Sequence, residues 1–194
     1  RAISMMQADI NRGISPQDVV SKGLIPAITI VGEKFQKYEI YVPEMLIAGR
    51  TMSKTLAHFK EKLVGEGKEK FLGRVVIGTV HGDLHDIGKN LVAMILRGQG
   101  FEVEDLGVSV STIKFIQSVK EKQTDILAMS ALLTTTMVEM KNTINALNAE
   151  GLRDRVKIIV GGAPVTHDFA EQIGADGNAF DAPGAAILCK KLLK

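Results

Sequence analysis

From Phe71 onward the sequence alternates short apolar runs with amphipathic stretches, and this alternation restricts the possible folds more than any other feature of the chain. The runs "RVVIGTV", "FEVEDLG", "DILAMSA" and "VKIIVGG" are short and read as buried strands, the first of them rich in β-branched residues, with "GNAF" as a weaker fifth. Between and after them, residues 87–99, 111–122, 136–150, 166–173 and 183–193 carry the apolar spacing of helices. Such regular alternation, joined by right-handed crossovers, predicts a doubly wound parallel sheet of the flavodoxin or Rossmann-like kind. In these sheets ligands bind beyond the carboxyl ends of the strands.

The first 65 or so residues have a different rhythm and read as helix throughout. "RAISMMQADI" is the first segment, and "ISPQDVVSKGL" opens the second with Ser15 as N-cap and Pro16 at the first helical position. A third helix is expected after Pro26, with Ile28, Val31 and Phe35 on one face. A fourth is expected from Pro43, with Met45, Gly49, Met52, Leu56, Phe59 and Leu63 at steps of three and four. Four short helices with brief connections predict a four-helix bundle. The Gly- and charge-rich residues 64–70 read as a linker, which divides the chain into a helical domain over 1–66 and an α/β domain over 67–194.

The 194 residues suffice for one large core or two small ones, and a net charge of +2 gives no broad electrostatic reason to expect nucleic acid or an anionic membrane as partner. No apolar run approaches the roughly 20 residues that span a bilayer. One cysteine, Cys189, excludes an internal disulfide framework and fits a reducing cytoplasm. It lies in the amphipathic "AAILCKKLL", where an inert buried thiol is expected.

The chemistry-bearing residues concentrate where a sheet of this kind would bind a ligand. "VHGDLHDIGKN" (80–90) follows the first strand, Ser130 to Thr136 follow the third, and Gly161 to Pro164 follow the fourth. Gly82 to Gly88 with Lys89 superficially matches a phosphate loop, but five residues separate the glycines where that loop has four. Asn90 also occupies the place of the magnesium-binding Ser or Thr. No G-x-G-x-x-G supports a dinucleotide site. His81, His85 and Asp83 are too few for zinc. On the turn alone, a structural role with Asp86 capping the following helix stays open. His58, His81 and His167 read as surface or packing residues.

Asp83-x-His85-x-x-Gly88, then Ser130-x-Leu132, then Gly161-Gly162, in this order and at these intervals, resembles the cobalamin-binding domain of methionine synthase and related corrinoid proteins. "VGEKFQKYEIYVPEMLIAGRTM" (31–52) resembles the helical cap of the same proteins. The resemblance implies a base-off/His-on corrinoid with His85 as lower cobalt ligand and Asp83 as the hydrogen-bond partner of its imidazole. Thr136 stands where methionine synthase completes that relay with serine. Gly82, Leu84, Asp86 and Gly88 go with the ligand turn. Ser130, Leu132 and Thr134 would line one wall of a slot for the nucleotide tail, Gly161, Gly162 and Ala163 the other, and Ala182 aligns with a backbone contact. In the cap, Phe35 and Val42 align with residues that shield a cobalt-bound methyl group, with Met45 one turn beyond; their helical period alone reads as bundle core. Tyr38 replaces a glycine common in the family.

The function implied is a methyl carrier working between a substrate-specific methyltransferase (methanol, methylamine or O-demethylase type) and a second methyltransferase acting on tetrahydrofolate or a thiol, with a corrinoid reductive activase as a further partner. Such a carrier is not expected to be catalytic alone. Two alternatives share the binding domain: a cobalamin-dependent sensor and regulator, and the small subunit of an adenosylcobalamin mutase. The first carries a DNA-binding domain and a cap tryptophan, whereas this chain has no tryptophan. The second lacks this cap.

Overall fold

The run after Gly73 becomes a strand buried on both faces. Val75 and Val76 are fully buried and Ile77 nearly so. The computed structural model describes residues 1–59, 71–121 and 123–194, excepting the side chains of Gln17, Gln36, Val42, Leu46 and Ser53. Two compact units are distinguished, residues 1–71 with 97–100, and residues 72–96 with 101–194.

From Leu72 onward the chain order is β1 (Arg74–Thr79), α5 (Ile87–Gly98), β2 (Glu102–Asp105), α6 (Thr112–Glu121), β3 (Ile126–Ser130), α7 (Val138–Ala149), β4 (Lys157–Gly161), α8 (His167–Gln172), β5 (Gly177–Ala179) and α9 (Ala182–Leu192). All five expected strands form one parallel sheet in the order β2-β1-β3-β4-β5. The chain leaves β1 to one side for β2 and returns to the other side for β3. That reversal opens a crevice at the carboxyl ends of β1 and β3, the switch point at which such sheets bind ligands.

Strand alternation sorts the core. Val76, Val80, Leu127, Met129, Ile158 and Val160 pack on one face against Phe115 and Val119 of α6, Met140, Ile144 and Leu147 of α7, and Ala170 of α8. Burying Phe115 completely is worth about 1.5–3 kcal/mol. It also explains Gly78, where a Cβ would lie 2.9 Å from the Phe115 ring. Val75, Ile77, Ile126, Ala128 and Ile159 point to the opposite face, and Ala185, Ala186 and Cys189 of α9 are buried as well. Cys189 is the inert thiol expected, pushed up to about 12 by burial.

The first unit contains α1 (Ala2–Asn11), α2 (Pro16–Val19), α3 (Ile25–Gln36) and α4 (Val42–His58). The Ser15 hydroxyl accepts from the Asp18 N–H at 3.1 Å, the cap expected there. Pro26, however, does not separate two helices. A π turn over Val20–Leu24 joins α2 to α3 without a break, and the Ile25 N–H reaches back to the Val20 carbonyl. A wider turn relieves the clash a proline ring makes with the preceding turn and absorbs its missing donor, so the chain stays helical through Pro26. Met6 and Phe59 are buried together among Ile3, Ile10, Val19, Val20, Leu24 and Leu56.

Tyr38 follows α3 in the left-handed region, with φ of 58°. Its N–H bonds to the Phe35 carbonyl, and the Glu39 N–H to that of Lys34, so this residue ends the helix where glycine is favoured. The glycine common in the family is thereby explained. The expected linker at 64–70, the domain boundary at 66/67 and the extension of α4 to Leu63 fall outside the described residues. Among the described residues no helix is long and apolar enough to cross a membrane.

Candidate functional site

At the end of β1 the chain turns through Gly82, whose φ of +78° suits a residue without a Cβ, and drives the Asp83 side chain inward. Asp83 is fully buried. Its Oδ1 accepts from the His85 N–H at 3.0 Å and from the imidazole Nδ1 at 2.7 Å. Its Oδ2 accepts from the N–H groups of Leu132 (2.8 Å) and Leu133 (3.2 Å) and the Thr136 hydroxyl (2.8 Å). Burial alone raises the carboxyl pKa, but the His85 backbone and ring, the Leu132 N–H and the Thr136 hydroxyl outweigh it and hold Asp83 well below the usual carboxylate range.

An ionised carboxylate can only accept, so the proton between the two groups sits on His85 Nδ1. In the neutral ring the lone pair is then on Nε2, and the His85 side chain is 51% exposed. Thr79, itself fully buried, fixes the turn from below by donating to the His85 carbonyl at 2.8 Å. Asp86 does not act through a helix-capping bond; its Oδ2 accepts from the Asn90 amide at 2.9 Å.

The surroundings suit a flat apolar body over this imidazole. Leu84 is 72% exposed, Ile87 86% and Phe180 86%, with Leu132 and Leu133 also exposed, all at the carboxyl ends of strands. Large apolar side chains left in water forgo about 25 cal/mol for each Å² that a ligand would cover. Gly88 is exposed, and a Cβ there would meet no protein atom within 4 Å. No packing inside the protein explains a glycine at this helical position.

The slot walls expected from sequence are adjacent in the sheet. Ser130 pairs with Thr79 on one side and Gly161 on the other. At Gly161 a Cβ would stand 3.1 Å from the Ala179 carbonyl oxygen, and at Gly162, with φ of +126°, 1.9 Å from that of Ala131. Close approach of neighbouring backbone therefore requires glycine at both positions. Thr134 and Ala163 are exposed. Ala182 is 4% exposed, so its side chain belongs to the core, and a ligand contact there would be to backbone.

In the first unit Phe35 is half-buried near the end of α3, Met45 is buried in α4, and Val42 opens α4 with its side chain outside those described. His58, His81 and His167 are exposed. Among the described residues no three His, Cys, Asp or Glu side chains converge as a metal site, so the chain offers a metal one imidazole rather than a cage.

Besides Thr79, sequence reasoning missed two supports of the turn. Ser109, with φ of 48°, donates its N–H to the Asp83 carbonyl at 2.9 Å, and its hydroxyl accepts from the Gly82 N–H at 3.1 Å. Lys89 is buried and ion-paired with Asp105 at 2.6 Å. Lys89 precedes Ala93 and Leu96 at helical spacing, so a lysine on the apolar face was the available signal. Nothing in the residues marks Ser109.

Residues 73–187 match the family model described as the B12 binding domain, and residues 3–60 match a second model of that description. A dimethylamine corrinoid protein of Methanosarcina barkeri is 40% identical over 180 residues, covering 93% of this chain and 84% of that one. The chain belongs to the B12-binding corrinoid proteins. A trimethylamine corrinoid protein of the same organism is 44% identical, again over 93% of this chain and 84% of its own. Among solved structures, a cobalamin-binding protein from Desulfitobacterium hafniense matches with a TM-score of 0.80 at 31% identity, covering 97% of this chain and 89% of that one. The methanol:cobalamin methyltransferase complex of Methanosarcina barkeri contains a chain that matches with a TM-score of 0.89 at 28% identity, covering 98% of this chain and 72% of its own. The residues of this corrinoid protein fit the cofactor: one imidazole with a free Nε2, an exposed apolar surround and open space over Gly88.

Proposed function

We propose that this corrinoid protein carries methyl groups between two methyltransferases, with His85 Nε2 as the lower ligand of cobalt and the cofactor's own base displaced toward Gly161 and Gly162. The observation that carries this reading is the Asp83–His85 contact of 2.7 Å, which fixes the imidazole with Nδ1 protonated and Nε2 free. A hydrogen bond from a carboxylate to the remote ring nitrogen raises the basicity of a metal-bound imidazole and fixes its orientation. The bound corrinoid supplies the cobalt on which a methyl group can be held; the chain supplies the ligand, its proton and the pocket.

Thr136 extends the relay. Its one hydroxyl proton faces both Asp83 Oδ2 at 2.8 Å and the Leu133 carbonyl at 2.9 Å, and the charged acceptor is the stronger. Asp83, oriented by Thr136, would thus keep the proton on His85 Nδ1 and leave Nε2 to hold the metal. The donor-side partner is a methylamine-type methyltransferase, because relatives named for dimethylamine and trimethylamine are 40% and 44% identical, against 28% for the methanol system. The other partners are a methyltransferase passing the group to tetrahydrofolate or a thiol, and a reductive activase. The setting is the cytoplasm.

The test is to load the protein with hydroxocobalamin, reduce it, and supply dimethylamine, trimethylamine or methanol, each with its own methyltransferase. Methylation of the bound cofactor in one pairing supports the reading. Retention of the cofactor with no methylation in any pairing refutes the carrier role.

A further inference from the structure

We infer that Lys89 is a positioning residue for His85: its buried ammonium clamps the turn that carries the imidazole to the loop after β2. The inference rests on His85 being the cobalt ligand, as proposed above. Lys89 Nζ donates to Asp105 Oδ2 at 2.6 Å and to Asn90 Oδ1 at 2.5 Å, with its side chain 2% exposed. Two arms run from it, and both end on the ligand turn. Through Asn90, whose amide donates to Asp86 Oδ2 at 2.9 Å, it reaches the residue beside His85. Through Asp105, whose Oδ1 accepts from the Gly107 N–H at 2.9 Å, it fixes the start of the β2 loop.

That loop braces the turn along its length. Its Gly107 carbonyl accepts from the Thr79 N–H at 3.0 Å, and the Val110 N–H donates to the Thr79 carbonyl at 2.9 Å. Ser109 then holds both the Gly82 N–H and the Asp83 carbonyl. Displacing Asp105 would loosen Ser109, and with it the two residues that aim the Asp83 carboxylate at the imidazole.

Energetics point away from a role in stability alone. Removing an ammonium from water costs several kcal/mol, and replacing a buried ion pair by apolar residues of similar volume is often neutral or stabilising. Lys89 shares its helix face with buried Ala93 and Leu96, where an apolar side chain would pack without that cost. The charge therefore serves orientation, which an apolar contact does not supply.

Amide exchange in the ligand-free protein tests the clamp directly. In Lys89→Met the Gly82 and Ser109 amides are expected to exchange about tenfold faster, with Leu127 and Ile159 in the sheet unchanged. Hydroxocobalamin should bind about tenfold more weakly, the lower end of the loss usual for partners beyond the ligand shell. The Lys89→Met/Asp105→Leu double variant should regain thermal stability while its turn stays loose and its binding weak. Should Lys89→Met fail to fold, Asp105→Asn, which keeps an acceptor for Gly107, reads the same amides. Wild-type exchange and affinity in these variants would overturn the inference, as would uniform acceleration across the sheet or recovery of turn and binding together with stability in the double variant. If the wild-type protein bound no corrinoid through His85 while the turn amides still responded to Lys89, the proposed function would fail and the clamp would stand.

Discussion

Asp83 accepts five hydrogen bonds while fully buried, and its role can be separated from that of its neighbours by pH. Its folded-state pKa lies below the unfolded value of about 3.9, so the stabilisation is complete above that value and is lost as pH falls toward the lower folded one. Asp83→Asn should be less stable at neutral pH, because the amide brings unsatisfied donors into a buried site. Its unfolding free energy should also decline less steeply than wild type below about pH 4, measured by urea unfolding across pH. Glycines at the site divide in the same way. Gly162→Ala places a Cβ 1.9 Å from the Ala131 carbonyl oxygen and should cost more than about 3 kcal/mol in thermal or urea unfolding. Gly88→Ala meets no protein atom and should stabilise the ligand-free helix by about 0.5–1 kcal/mol while weakening corrinoid binding. A Gly88→Ala protein that binds hydroxocobalamin normally would mean the space over Gly88 is not the ring's. Asp83, His85 and Gly88 were legible because type and spacing mark them. Thr79 and Ser109 were not, since they act on backbone atoms of a turn whose path no residue pattern records.

At the level of elements, each α/β segment was readable because strand and helix periods differ sharply and glycines punctuate them. Pro26 was misread for a physical reason: a breaker rule assumes α-helical bonding, and the π turn at Val20–Leu24 changes which carbonyl the proline ring meets. The end of α3 yields its own prediction. Tyr38 holds φ of 58° with 82% of its surface exposed, so it bears backbone strain without compensating packing. Tyr38→Gly should raise stability by about 0.5–1 kcal/mol, read by thermal unfolding. A loss would mean that the tyrosine ring makes a stabilising contact that its exposure hides.

For the whole molecule, a helical unit and a doubly wound sheet were both legible from the change of rhythm near Phe71, and the switch point between β1 and β3 gathers three separated motifs into one site. Ligand and fold are linked there. Hydroxocobalamin at a hundredfold its Kd should add about 2.7 kcal/mol to stability, and His85→Ala should show a smaller gain at the same concentration. The most direct measurement is the Co(II) EPR spectrum of the protein grown with nitrogen-15 histidine and loaded with cobalamin. Ligation by His85 Nε2 predicts two-line superhyperfine splitting from the labelled ring, lost in His85→Ala. Three-line splitting from the cofactor's own unlabelled base would contradict it.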